Sequence, residues 1–191
     1  MGRPSLADVR KPQILEAFGA CIVRYGAEGT TLDRVAEETG VTRGLVRHYL
    51  GNRDDVMRAL AAHVRDRYTA RLENLIAGRP AGERLTILLD AIFSDGGSDD
   101  LYRLAVALFD EGLRDREIAS LMREMYLEWE RTIDAELAAT HPDADPRSRR
   151  DVAFSILALA FATSDLAAVG LPAAQLSASR RAVDVLIASL D

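Results

Sequence analysis

Apolar residues recur at helical spacing in one segment after another. Ile14, Leu15, Phe18, Cys21, Ile22 and Tyr25 form the first stripe, on a helix that Pro12 is suited to open and Gly26 to stop. Residues 1–11, MGRPSLADVRK, read as a mobile arm ahead of it, whose Arg3, Arg10 and Lys11 could meet phosphate, a minor groove or only solvent. Two short helices follow. In the first, Leu32, Val35 and Ala36 share a face behind a threonine cap, with Thr30 and Asp33 at the spacing of a capping pair, and Gly40 ends it. In the second, capped by Thr42, Val46, Tyr49 and Leu50 point inward.

The C-terminal part continues the pattern. A long helix from Asn52 to about Ile76 opens on an Asn52–Asp55 cap pair and buries Val56, Leu60, Val64, Tyr68, Leu72 and Leu75. Pro80 and Gly82 break the chain before helices over about 83–93 and 101–113, separated by the loop SDGGSDD at 94–100. The next helix, about 115–138, aligns Ile118, Leu121, Met122, Met125, Trp129, Ile133 and Leu137, and HPDADP ends it. Residues 152–171 are apolar nearly all round. They contain Ser155, Thr163, Ser164 and Asp165 and much alanine, which suits a helix covered on two faces better than a membrane span. A last helix, about 173–190, carries Leu176, Val183, Leu186, Ile187 and Leu190. Two such helices from each of two chains would form a four-helix dimer interface, so a homodimer is expected. The fold class is all-α. Residues 1–55 are expected to form an N-terminal three-helix domain, and residues 56–191 a helical dimerisation domain.

The second short helix gives the chemistry. Its inward residues leave Arg43, Gly44, Arg47 and His48 on the outer face. A first-turn arginine can bridge guanine O6 and N7, Gly44 clears the way for the backbone, and Arg47 and His48 can reach bases or phosphate. Arg53 is placed for phosphate. Two helices, a tight turn and a cationic outer face form the pattern of a helix-turn-helix that enters double-stranded DNA.

Charge supports a local patch. Residues 1–53 hold eight basic against six acidic side chains, a net of +2, leaving −8 for the rest of a chain whose total is −6. Phosphates respond to the nearest charges, because distant ones are screened. With 48% apolar and 28% charged residues the composition is that of a globular chain. One cysteine, Cys21, permits no internal disulfide, so the expected setting is cytoplasmic, and no signal peptide opens the chain. His48, His63 and His141 have no metal-ligand spacing, and there is no Glu-x-x-His pair, phosphate loop or nucleophile motif. Neither an enzyme, a metal site nor a cofactor is implied. The competing reading is an all-helical small-molecule-binding or scaffold protein without sequence-specific DNA binding.

The run GTTLDRVAEETGVTRGLVRHYLGNRDDV, from Gly29 to Val56, resembles the N-terminal domain of the TetR family of bacterial transcriptional regulators. Thr30-Thr31, Val35-Ala36, Gly40-Val41, Arg43-Gly44, His48-Tyr49 and Asn52 to Asp55 carry the resemblance. It implies that Thr31, Thr42, Tyr49 and Arg53 meet the DNA backbone, and that Arg43, Gly44, Leu45, Arg47 and His48 face bases. The family commonly has threonine where this chain has Leu45 and tyrosine where it has Arg47, so the base preference of those two is its own. The resemblance also implies a dimer on a palindromic operator and a small organic ligand in the C-terminal domain. Phe93, Tyr102, Phe109, Asp110, Met122, Met125, Tyr126, Trp129, Phe161 and Asp165 are the candidate ligand residues, with core packing as the competing role for each. The segment from Phe109 to Leu137 looks like the branch represented by the choline and betaine pathway repressor, so the expected ligand is small, organic and lipophilic or cationic.

Overall fold

The computed structural model describes residues 6–94 and 100–191, and every regular element among them is helical. In chain order these are α1 (Leu6–Gly29), α2 (Leu32–Thr39), α3 (Arg43–Leu50), α4 (Arg53–Ile76), α5 (Ala81–Ser94), α6 (Asp100–Gly112), α7 (Arg116–Thr140), α8 (Pro146–Ala168) and α9 (Ala173–Ala188). Residues 6–11 of the expected arm are instead the first turns of α1. Pro12 lies inside the helix, where its missing N–H leaves one rung of the ladder empty. Residues 1–5, with Arg3, and residues 95–99 of the acidic loop lie outside the described residues.

Two compact units form. The first holds α1–α3, α4 through Arg67, α6, and α7 through Glu124. The second holds α4 from Tyr68, α5, α7 from Met125, α8 and α9.

In the first unit the apolar stripe of α1 is the core: Ile14, Leu15, Phe18, Cys21 and Ile22 are buried. Val35 of α2, Val46 of α3 and Val56, Leu60 and Val64 of α4 are fully buried with them. Burying each such side chain contributes about 1.5–3 kcal/mol. Tyr25 departs from the expected stripe. The backbone turns out of the helix at Gly26 (φ 74, ψ 165), and the ring is 40% exposed beneath the Arg34 guanidinium, 4.6 Å away. At the other end of the unit Asp115 caps α7. Its Oδ1 accepts from the Glu117 and Ile118 N–H groups, and its Oδ2 accepts from Arg58 Nε at 2.8 Å.

The second unit packs Leu72, Leu85, Leu88, Leu89, Trp129, Ile133 and Leu137 against Val152, Ala153, Ile156 and Leu157 of α8 and Val183 of α9. By length and composition alone α8 could cross a membrane, yet it contributes seven buried residues to this unit. It also begins earlier than its apolar run indicates. Asp145 is its N-cap and Pro146 its first residue, so the polar turn Arg147–Asp151 is helical. Leu176 of the expected α9 stripe has a side chain outside the described residues.

Asp145 gives a pH prediction. Its carboxylate is held below the usual range by the Ser148 backbone N–H first and then by the Ser148 hydroxyl, against desolvation, with the Arg147 N–H adding a smaller share. A lowered folded-state pKa means that the cap stabilises fully above the unfolded value and loses its contribution as pH falls through the folded one. Urea unfolding across acid pH is expected to show a steeper loss below about pH 4 in the natural chain than in Asp145→Asn, which retains a capping oxygen but does not titrate.

Candidate nucleic-acid interface

The geometry of α2 and α3 begins at the end of α1. Past the Gly26 break the helical ladder of α1 gives way to a single backbone contact, Thr30 N–H to Ala27 O at 3.3 Å, and three of its last carbonyls accept from side chains that follow. Thr30 Oγ1 donates to Gly26 O at 2.8 Å, Arg53 Nη2 donates to Ala27 O at 2.7 Å, and Arg34 Nη1 donates to Gly29 O. Thr30 is therefore fully buried and serves α1, and the cap of α2 is Thr31, which accepts from Arg34 N–H at 3.3 Å. The expected Thr30–Asp33 pair does not form, because the Thr30 hydroxyl is already used.

Gly40 closes α2 in the left-handed conformation, and Thr42 caps α3 by accepting from Leu45 N–H at 3.3 Å. Val46 anchors α3 from below, with Tyr49 and Leu50 half-buried beside it. The opposite face carries Arg43, Gly44, Arg47 and His48, all exposed, and Leu45 is half-buried at its shoulder. Gly51 ends α3 at φ 87, and a Cβ there would lie 2.4 Å from Asp55 Oδ2. That approach exists because Asn52 and Asp55 cap each other reciprocally: Asn52 N–H donates to Asp55 Oδ2 at 2.9 Å and Asp55 N–H to Asn52 Oδ1 at 3.0 Å.

Arg43, Arg47 and Arg53 line a hollow of about 390 Å³ with Thr30, Thr31, Leu32, Asn52 and two acids, Glu28 and Asp33. Asp33 Oδ2 lies 3.2 Å from Arg43 Nη1. The sequence reading missed both acids as members of this face. Asp33 could have been suspected from the absence of any acid in the first turn of α3.

The candidate ligand residues divide between the units. Tyr102, Phe109, Asp110 and Met122 belong to the first, where Met122 is buried and Asp110 is exposed and paired with Arg114 at 3.0 Å. Phe93, Met125, Tyr126, Trp129, Phe161 and Asp165 belong to the second. There Tyr126 stacks on Phe161 (centroids 5.9 Å, 26°) and meets the edge of Phe154 at 6.3 Å, while Trp129 meets Tyr68 edge-on at 6.3 Å. Burial pushes the Tyr126 phenol up, with Glu130 adding to it. Phe93 packs at the rim of the core, Met125 is buried, and Asp165 is exposed.

A capped two-helix reader with its cationic face bare, on an all-helical chain, defines the class of helix-turn-helix DNA-binding regulators. The sequence profile of "Bacterial regulatory proteins, tetR family" matches residues 14–60. The chain is 29% identical over 161 residues to the HTH-type transcriptional regulator BetI of Burkholderia ambifaria, covering 83% of this chain and 81% of that one. A TetR transcription regulator from Haloarcula marismortui has the same fold (TM-score 0.81, 16% identity, 95% of this chain and 98% of that one). So does a transcriptional regulator from Saccharomonospora viridis solved with choline (TM-score 0.81, 16% identity, 94% and 95%). FadR from Bacillus subtilis, solved with stearoyl-CoA, is more distant (TM-score 0.68, 19% identity, 94% and 99%). The profile match spans the helix-turn-helix described above, and the similarity to a transcriptional regulator extends over 83% of the chain.

Arg53 gives a test that separates scaffold from reader. Because its guanidinium closes α1, Arg53→Ala is expected to cost about 1–2 kcal/mol of stability without DNA. Arg43→Ala and Arg47→Ala should stay within about 0.5 kcal/mol. Urea unfolding of the three variants checks the contrast.

Proposed function

We propose that this chain is a homodimeric repressor that holds a palindromic operator and leaves it when a small organic molecule binds, with residues 1–55 as the reader and 56–191 sensing and dimerising. The observation that carries the reading is the bare face of α3, where Arg43, Gly44, Arg47 and His48 stand exposed on a helix whose other side is anchored by Val46. Arg43, in the first turn, is assigned to a guanine edge, and Leu45, Arg47 and His48 to neighbouring bases. Thr31, Thr42, Tyr49 and Arg53 are assigned to phosphates.

Dimerisation is supported by apolar surface on α8, at its C-cap and on α9: Phe154 is 54% exposed, Leu166 44%, Val169 77% and Val185 71%. A twofold dimer places two readers about one helical turn apart on DNA. The ligand is assigned to the second unit, where the Tyr126, Phe161 and Trp129 rings with the Asp165 carboxylate suit an organic cation. The relative solved with choline points to the same chemistry. A ligand favouring a conformation that misplaces the readers must weaken DNA binding by the factor by which DNA weakens ligand binding.

Selection of bound duplexes from a random library, at moderate salt with competitor DNA, is expected to enrich one palindrome whose preference relaxes in Arg43→Ala. Enrichment of no sequence would favour instead a helical binding protein without sequence-specific reading. Val185→Asp combined with Leu166→Asp is expected to sediment as a monomer and lose operator affinity. Trp129 is the single tryptophan, so its emission is expected to titrate with choline in the natural chain and not in Tyr126→Ala. Choline binding that left operator affinity unchanged would refute the linkage.

A further inference from the structure

Helix α3 opens on a cation where a helix favours an anion. Arg43 is its first residue, at the positive end of the macrodipole, and its first turn contains no acid. The missing negative charge comes from α2: Asp33 Oδ2 lies 3.2 Å from Arg43 Nη1. The two side chains are 61% and 62% exposed, and α2 is already fixed by the Thr31 cap and the buried Val35. An ion pair this open adds little to stability. Its effect falls on the direction of the guanidinium, a planar fork that offers further N–H donors while one is engaged.

Position adds a second argument. Asp33 and Glu28 line the same hollow as Arg43, Arg47 and Arg53, so two carboxylates stand on the face assigned to polyphosphate. A face selected for affinity alone would exclude them, because each anion near the backbone opposes the counterion-release drive that binds any sequence. A carboxylate beside a base-reading arginine raises the relative weight of the base contact.

We infer that Asp33 is a positioning residue for sequence readout: it holds the Arg43 guanidinium toward the base edge and repels backbone phosphate, so that it raises discrimination while lowering affinity for DNA of arbitrary sequence. The inference rests on Arg43 as a base reader.

The test uses the full chain and the palindrome from library selection. Anisotropy titrations compare that palindrome, its single-base-pair variants and a random duplex at several salt concentrations, for the natural chain, Asp33→Asn, Asp33→Glu, Arg43→Ala and the Asp33→Asn/Arg43→Ala double variant. Arg43→Ala identifies the base pair that Arg43 reads. At that pair Asp33→Asn is expected to lower the preference roughly three- to tenfold, to leave the other pairs unchanged, and to tighten binding to the random duplex with a steeper salt dependence. Asp33→Glu restores part of the preference, and Asp33→Asn changes it no further once Arg43 is absent. The inference is overturned if Asp33→Asn keeps the preference at that pair, or weakens binding to every duplex alike with a lowered unfolding midpoint. Arg43→Ala relaxing no base pair would overturn the reading of Arg43, a distinct failure that takes the inference with it.

Discussion

The reader depends on how α1 ends. Once Gly26 leaves helical geometry, the carbonyls of Gly26, Ala27 and Gly29 accept from the side chains of Thr30, Arg53 and Arg34, Ala27 O also from the Thr30 N–H. These contacts, each worth about 0.5–1.5 kcal/mol, tie the starts of α2 and α4 to one fixed point. Helix α3 lies between the two in sequence and is held by Val46 below and by the Gly51 turn at its end. Its direction is therefore inherited from elements outside the face proposed to meet bases.

Among the described residues the second unit leaves two buried polar atoms unsatisfied, as the first leaves His63 Nε2. Trp129 Nε1 and Glu136 Oε2 are buried without a hydrogen-bond partner among the described residues, although Arg84 lies 3.6 Å from the other oxygen of Glu136. Buried polar atoms are nearly always paired. A molecule seated beside Trp129 would gain a donor that the protein does not use, whereas the cap and carbonyl contacts around α2–α4 leave the reader with little to rearrange.

Much of this was legible in the sequence, because helical periodicity reports which face is buried and capping residues report where a helix turns. Val35, Val46, Val56 and Leu60, the Asn52–Asp55 pair and the Gly40 cap follow from those two signals alone. The failures have the same physical origin. Thr30 and Thr31 are adjacent hydroxyls, and which of them caps α2 depends on how α1 ends, a tertiary fact. Tyr25 continues the spacing of Ile22, but it is the last residue before the break at Gly26 and stands exposed there. The first turns of α8 are too polar to extend an apolar run, although Asp145-Pro146 is a start signal in its own right. That α6 packs on α1, and that Asp33 meets Arg43 across a turn, are pairings between elements, which spacing within one element does not encode.

The division of α3 into an anchored side and a bare side has an evolutionary consequence. Natural proteins sit only slightly above the stability they need, so positions that contribute to packing accept few changes. Arg43, Arg47 and His48 contribute almost none, and the anchoring residues beneath them encode no base preference. On the proposed reading of α3, a gene copy can acquire a new operator through a few surface substitutions without passing through an unfolded intermediate, so copies can diverge in target while keeping one scaffold.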